Sequence, residues 1–204
     1  MWKRVHTFWQ NSVAKFVDYL RHSRPFANKV YVISHNSRGY DAQFLLRSFL
    51  ELRWAPQLIM VGNKILSMVV EKLHFLDSLN YLLMCLKSIP NSLDLICKER
   101  YYTQFFNTAN KLDYVGSHSE PKFYGADIMS GDERTQIWDW YKGVKDKMFY
   151  NREEMLVYYM DDVNVLRQIC CTFWNLFYKL AKLDPFRQAI KISTISNKVS
   201  GPCI

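Results

Sequence analysis

The sequence predicts an α/β fold, and three observations support this class. Residues 30–33 are apolar and β-branched or aromatic, which is typical of a buried strand. From Tyr40 onward apolar residues recur at helical spacing, so the strand leads through a turn into a helix. Between residues 156 and 180 they recur at alternating gaps of three and four, which predicts a long amphipathic helix near the C-terminus.

Two helices and a strand are predicted at the start of the chain. Apolar residues at helical spacing indicate a helix over residues 8–21. The strand begins at Lys29, and the helix after it ends near Leu52 because Pro56 follows closely.

Three more strands are expected next, over residues 57–61, 64–71 and 72–76. Gly62 and Asn63 form a turn of hairpin type between the first two. A further helix is predicted from Leu79, and either Asp77 or Ser78 is a suitable N-cap for it.

The second half is predicted to be irregular before it becomes helical. From Pro90 to Gly131 periodicity fades and turn formers interrupt aromatic clusters, which indicates a long irregular region with at most short helices. A helix is expected from about Asp132 to Lys142, and the long helix follows Asn151.

Composition favours a globular, basic protein. Hydrophobic residues make up 49% of the chain and charged residues 23%, which argues against disorder. The net charge of +8 favours polyanionic partners through counterion release, although a merely basic surface would have the same composition.

Cysteine usage and the absence of long apolar runs bear on location. The five cysteines are odd in number and form no C-x-x-C pair, so an intracellular, reducing compartment is expected, and a disulfide framework or zinc site is not. No secretory signal or run of 18 apolar residues is found, so no membrane association is expected. The choice between nucleus and cytosol, and the oligomeric state, stay open.

Two groups of residues are candidates for chemistry. Asn36, Tyr40 and Asp41 follow the first strand, where the helix dipole favours the charge of Asp41 and where a carboxylate also suits a divalent metal. Tyr158 and Asp162 are four residues apart and so lie on one side of the long helix. Taken singly, each aspartate is more simply an ordinary helix charge.

Taken in order, these two groups resemble exonuclease motifs of family B DNA polymerases, in the protein-primed group of adenovirus-like and Polinton-type elements. Asn36, Tyr40 and Asp41 are similar to the second motif, and Tyr158 and Asp162 to the third. The implied fold is a ribonuclease H-like 3′→5′ exonuclease fold with a long irregular insertion and a long C-terminal helix.

The resemblance implies a role for each residue. Asp41 and Asp162 would be catalytic ligands of Mg²⁺ or Mn²⁺, which activates water and stabilises the leaving oxygen. Tyr158 would orient that water, and Asn36 and Tyr40 would position the 3′ end. The two aspartates are expected to share one acidic pocket at the edge of the sheet.

The resemblance also implies contacts with a single strand. His35 and Phe44 match single-strand contacts, and Ser78 and Leu79 match residues that touch single-stranded DNA or a terminal protein primer. Aromatic faces stack on unpaired bases, and hydroxyl or amide groups hold phosphates. For Asp77 and Ser78, helix capping alone is a sufficient explanation.

The first motif, Asp-x-Glu, is missing, since Asp18 is the only acidic residue before Asp41. The fold is therefore expected to lack its first strands, which leaves a hydrophobic sheet edge unpaired. Residues 1–182 would be an incomplete exonuclease domain, and residues 183–204 the start of a linker toward the polymerase domain. The parent would be a DNA-directed DNA polymerase active in replication, and the fragment itself inactive.

Two alternatives remain open. The chain would be a non-catalytic nucleic-acid- or partner-binding remnant of a mobile element, or a piece of a decayed element with no function. The first predicts salt-sensitive single-strand binding, and the second predicts a chain that does not fold alone.

Overall fold

The computed structural model describes residues 4–22, 27–83 and 101–194. The chain divides into two compact units, one formed by Met1–Ser88 and Gln168–Ile204 and the other by Ile89–Arg167. No helix in the described part of the chain has the length and hydrophobicity needed to cross a bilayer.

The first unit contains a mixed four-stranded sheet, which confirms the α/β class. Its strands are β1 (Val30–Ser34), β2 (Gln57–Val61), β3 (Lys64–Val70) and β4 (Leu73–Asp77). Their order is β1-β4-β3-β2; β1 and β4 are parallel, and the other pairs are antiparallel. Because β1 and β4 are parallel neighbours, their carboxyl ends meet at one edge of the sheet, with Ser34 opposite Asp77.

Two helices lie in the N-terminal segment of the same unit. Helix α1 (Ser12–His22) begins later than predicted because Gln10 and Asn11 have positive φ angles of 52° and 48°, which no right-handed helix accommodates. Helix α2 (Asp41–Glu51) follows the turn after β1, as expected.

The core of the first unit is formed by the apolar residues that the two helices and the sheet bury together. Phe49 is fully buried and stacks on Trp54 with ring centroids 5.4 Å apart. The buried members of this core are Val17, Leu20, Ala42, Phe49, Ile65, Met68, Val70, Leu73 and Phe75.

Two tight turns set the strand ends. Gly62, with a φ of 59°, lies in the predicted hairpin turn between β2 and β3. Glu71 has a φ of 51°, and the two-residue turn that it forms with Lys72 separates β3 from β4. The predicted end of β3 at Glu71 therefore moves back to Val70, and the predicted start of β4 at Lys72 moves forward to Leu73.

The helix predicted from Leu79 is wrong within the described residues. A single 3₁₀ turn, Ser78–Asn80, follows β4, and no helix continues through residues 81–83. Tertiary bonds override the helical pattern: the Asn80 side chain donates to the Leu66 carbonyl at 2.8 Å, and the buried Tyr81 hydroxyl donates to the Ala189 carbonyl at 2.7 Å. The rest of that predicted helix lies outside the described residues.

The second unit contains the irregular region. Its described part, residues 101–130, contains short 3₁₀ turns, as predicted, and one unpredicted strand, β5 (Val115–Ser117). This strand pairs with β6 (Met148–Tyr150), and both are too short to show an alternating pattern.

Helices follow the irregular region. Helix α3 (Gly131–Val144) begins with the Glu133 carboxylate accepting hydrogen bonds from the Ser130 amide and hydroxyl. The predicted long helix is confirmed as α4 (Asn151–Ala181). The short α5 (Pro185–Gln188) begins after Asp184, whose carboxylate accepts the amide hydrogens of its first turn.

Candidate functional site

The residues predicted for the second motif lie in the turn between β1 and α2 and at the start of that helix. Asn36 adopts the left-handed conformation, with a φ of 59°, and its carbonyl accepts the Gly39 amide at 3.3 Å. The backbone carbonyl of the buried Ser37 accepts the Ala42 amide at 3.0 Å. The turn thus places Asp41 at the first position of α2, whose N-cap residue, Tyr40, makes no side-chain capping bond.

The buried carboxylate of Asp77 connects this turn to the end of β4. Its Oδ1 accepts the Asn36 amide at 2.9 Å and the Leu79 amide at 3.0 Å, and its Oδ2 accepts the Arg38 amide at 3.0 Å. Asp77 is only 1% exposed. Of the two candidate N-caps, Asp77 caps the 3₁₀ turn through its bond to Leu79, but its two bonds to the turn after β1 were not predicted.

A second bond joins the same two strand ends. His35 Nδ1 and Ser78 Oγ are 2.8 Å apart, so two of the predicted single-strand contacts are hydrogen-bonded to each other. Ser78 is fully buried, whereas His35 and Leu79 are half-buried. Burial has the largest effect on the pKa of His35 and lowers it. The negative charge of Asp77 raises this pKa in part, and the positive charge of Arg38 lowers it again. The pKa is therefore lowered overall, which favours the neutral imidazole at pH 7.

The Asp41 carboxyl group lies close to the negative charge of Asp77. Although the residue as a whole is exposed, the protein excludes part of the water around its carboxyl group. This desolvation and then the charge of Asp77 raise the pKa of Asp41. A cation beside these groups would be favoured by both charges.

Two aromatic side chains beside Asp41 are exposed. Tyr40 is 78% exposed and Phe44 is 57% exposed. The Phe44 amide donates to the Tyr40 carbonyl at 3.2 Å, so the two residues are one helical turn apart and lie on the same side of the start of α2. Large exposed aromatic faces suit a flat ligand.

The residues predicted for the third motif lie on α4 in the second unit. The Tyr158 ring stacks on Tyr102 with centroids 5.4 Å apart. Burial and then the negative charge of Asp162 raise the pKa of Tyr158, as expected for neighbours on one side of a helix. Burial and the charge of Asp161 raise the pKa of Asp162.

A fully buried amide holds the start of α4. The Asn151 Nδ2 donates to the carbonyls of Phe106 at 3.2 Å and Lys111 at 2.8 Å, and its Oδ1 accepts the Tyr102 hydroxyl at 2.8 Å. Asn151 therefore fixes Tyr102, which in turn packs on Tyr158.

The two candidate groups belong to different units, Asp41 to the first and Asp162 to the second. The expectation that their carboxyl groups share one pocket therefore stays a prediction. Within the described ranges, no three or more His, Cys, Asp or Glu side chains are grouped so that they could hold a metal ion.

The hydrogen bonds by which Asp77 and Asn151 hold neighbouring segments in place were not predicted from the sequence. For Asp77 a clue was present, because adjacent parallel strands end at the same edge and both strands here end in polar turns. For Asn151 there was none, since its partners lie 40 or more positions earlier in the irregular region.

Comparison with known families gives one match that spans most of the chain. The family described as DNA polymerase type B, organellar and viral, matches residues 24–198. This range includes both candidate groups. No curated protein and no solved structure matches the chain.

Proposed function

Because the chain belongs to the organellar and viral family of type B DNA polymerases, which implies DNA binding, we propose that it is the 3′→5′ exonuclease region of such an enzyme and binds the 3′ end of single-stranded DNA. The observation that carries this proposal is the pair of exposed aromatic rings, Tyr40 and Phe44, at the start of α2, where Asp41 is the first helical residue.

The exposed rings suit unpaired bases. Each base stacked on an aromatic side chain contributes about 1–3 kcal/mol, and every base offers a suitable face. Tyr40 and Phe44 lie one helical turn apart, so they present two neighbouring faces. His35 and Asn36 lie in the same turn, where polar groups are available for the sugar and the phosphates.

Ser78 contributes to this site through His35. Its hydroxyl is buried and hydrogen-bonded to the imidazole, so it orients a half-buried ring. Leu79, which is half-buried in the middle of the same 3₁₀ turn as Ser78, adds an apolar contact.

We assign the first unit to an incomplete ribonuclease H-like domain. The parallel pairing of β1 and β4 around α2 supports this assignment. Among the described strands, none pairs with the free edge of β1, which is where a strand bearing Asp-x-Glu would lie. Residues 1–182 then form the exonuclease part, and residues 183–204 lead toward a polymerase domain.

In the parent enzyme Asp41 and Asp162 would hold Mg²⁺ or Mn²⁺, and Tyr158 would orient the attacking water. Carboxylate oxygens are the ligands that these ions prefer. Burial raises the pKa of Asp41 and of Asp162, and the charges of Asp77 and Asp161 raise them further, so a bound cation would offset negative charge at each position. We propose that this chain does not hydrolyse DNA, because the sequence before Asn36 lacks the Asp-x-Glu carboxylates.

The metal assignment is tested by adding substoichiometric Mn²⁺ to the ¹⁵N-labelled chain with a single-stranded oligonucleotide. The amide signals of Asp41 and Asp162 should broaden together, and Asp162→Asn should reduce the effect at both. Broadening at one of them alone would contradict a shared pocket. Mg²⁺-dependent turnover of single-stranded DNA that Asp162→Ala abolishes would overturn the proposed inactivity.

The single-strand proposal is tested by fluorescence anisotropy with a labelled oligothymidine that has a free 3′ end. Tyr40→Ala and Phe44→Ala should each weaken binding about tenfold, the equivalent of one lost base stack. Leu50→Ala is the matched control, since Leu50 is also 57% exposed on α2. Equal competition by duplex DNA, or an equal loss in the control, would contradict the proposal.

Membership of the protein-primed group is part of the proposal, with a terminal protein as a second partner and a reducing intracellular compartment as its location. The Asp77-Ser78-Leu79 sequence supports this group. A purified terminal protein of that group should bind the chain, and Leu79→Ala should weaken the complex. Absence of binding would leave only the single-strand function.

A further inference from the structure

We propose that Asp77 is the positioning residue of the single-strand site. It is not among the residues predicted to contact DNA. This inference rests on the proposed function. Asp77 holds the turn after β1 and the turn after β4 in one fixed arrangement, so that residues from both strand ends meet the same DNA strand.

The geometry for this role is complete. Both carboxylate oxygens are used: Oδ1 accepts the amides of Asn36 and Leu79 at 2.9 and 3.0 Å, and Oδ2 accepts the amide of Arg38 at 3.0 Å. The residue is 1% exposed, so water does not compete for these amides. A charged acceptor makes hydrogen bonds about twice as strong as a neutral one.

The turn after β1 needs such support. Asn36 has a φ of 59°, a conformation that is uncommon for residues other than glycine and costs free energy unless neighbouring structure maintains it. Its amide, and that of Arg38 two positions later, both point to the Asp77 carboxylate. The carboxylate therefore selects the conformation that carries the chain to Tyr40 and α2.

The same residue fixes the second turn relative to the first. The amide of Leu79 is bonded to the Oδ1 atom that also accepts the Asn36 amide. The bond between His35 and Ser78, at 2.8 Å, is a second link between the two turns. Two predicted DNA contacts, Asn36 and Leu79, are thus bonded directly to one buried side chain, and their neighbours His35 and Ser78 are bonded to each other.

Asp77→Asn is a selective test of this arrangement. The asparagine keeps an oxygen for Asn36 and Leu79, but its amide group faces the N–H of Arg38, where a donor meets a donor. Hydrogen exchange should therefore speed up at the Arg38 amide and change little at the Leu79 amide. Asp77→Ala should release all three amides.

Binding of the labelled oligothymidine by the full chain should follow the same order. Asp77→Asn should weaken binding about threefold and Asp77→Ala about tenfold or more, measured where circular dichroism shows each variant to be folded. The partial recovery in asparagine separates positioning from a general loss of structure. If Asp77→Ala fails to fold, the asparagine variant alone decides the outcome.

Asp184 provides the matched control in the same unit. Its carboxylate also caps a helix, accepting the amides of Phe186 at 3.1 Å and Arg187 at 3.3 Å. Asp184→Ala should lower stability and leave DNA binding unchanged. If both alanine variants weaken binding equally, or if Asp77→Asn binds as tightly as the native chain, the positioning role is wrong. A native chain that binds no single-stranded DNA overturns the proposed function itself.

Discussion

Asp77 in the first unit and Asn151 in the second are both buried polar side chains that each satisfy three groups, but they do so with opposite chemistry. Asp77 accepts three backbone N–H groups and is charged. Asn151 is neutral, donates to two carbonyls and accepts one hydroxyl. Three donors surround Asp77, whereas two acceptors and one hydroxyl surround Asn151, so of these two side chains it is the one in the first unit that places a negative charge beside its candidate residues.

The largest expected effect comes from Asp77→Ala. Three hydrogen bonds to a charged acceptor are lost and buried amides are left unpaired, so we expect the free energy of unfolding to fall by about 4 kcal/mol. Urea denaturation followed by circular dichroism measures the loss. Asp184→Ala, which removes only a helix cap, should cost about 1 kcal/mol. Equal losses in the two variants would mean that Asp77 is no more than a cap.

Asn151→Asp tests the opposite chemistry in the second unit. An ionised carboxylate cannot donate to the carbonyls of Phe106 and Lys111, so the variant should lose about 3 kcal/mol, at least as much as Asn151→Ala. Thermal and urea unfolding of the two variants at pH 7 measure this difference. A stable Asn151→Asp protein would show that these carbonyls do not require a donor.

Tyr102→Phe isolates a single hydrogen bond in the same cluster. The substitution removes the hydroxyl that donates to Asn151 and keeps the ring that stacks on Tyr158. We expect a loss of about 1 kcal/mol, the usual value for one hydrogen bond. Tyr159→Phe, at a side chain that is 44% exposed, should change the free energy of unfolding by much less. A larger loss at Tyr159 would contradict this description of the cluster.

The smallest effect is the pH dependence at Asp162. Because its pKa is raised in the folded chain, folding disfavours the charged form, and this penalty is present above the folded pKa and absent below the ordinary value of 3.8. Asp162→Asn should therefore stabilise the protein at pH 7 by less than about 1 kcal/mol, since the residue is only half-buried.

The advantage of Asp162→Asn should shrink as the pH falls toward 3.8, and unfolding measured across this range shows whether it does. The control is Glu153→Gln, because Glu153 lies in the first turn of α4, where the helix dipole favours a negative charge. This variant should be slightly less stable than the native chain at pH 7. Destabilisation by Asp162→Asn at pH 7 would contradict the sign of the pKa shift.

Local patterns in the sequence were sufficient for most of the fold. Periodicity predicts a strand over residues 30–33 and a helix from Tyr40, which the structure has as Val30–Ser34 and Asp41–Glu51. The adjacency of Tyr158 and Asp162 follows from their spacing on one helix. Tertiary contacts decided the rest. Tyr81 leaves the predicted helix because its hydroxyl bonds to Ala189, and no periodicity reports such a partner.

For the candidate site, the exposed residues were easier to predict from the sequence than the buried residues that hold them in place. Tyr40 and Phe44 are exposed beside one another, as a stacking surface requires. The supporting bonds of Asp77 join positions about 40 residues apart, and only the parallel pairing of β1 and β4 brings them together. From the sequence alone, Asp77 is therefore interpreted as a helix N-cap.

The most direct measurement of the single-strand site is an amide chemical-shift map of the ¹⁵N-labelled chain titrated with oligothymidine. The account predicts that the amides of Asn36, Tyr40, Phe44 and Leu79 shift together, with one dissociation constant that matches the anisotropy value. If these amides stay unchanged while signals elsewhere shift, or if duplex DNA shifts them equally, the turn after β1 is not a single-strand site.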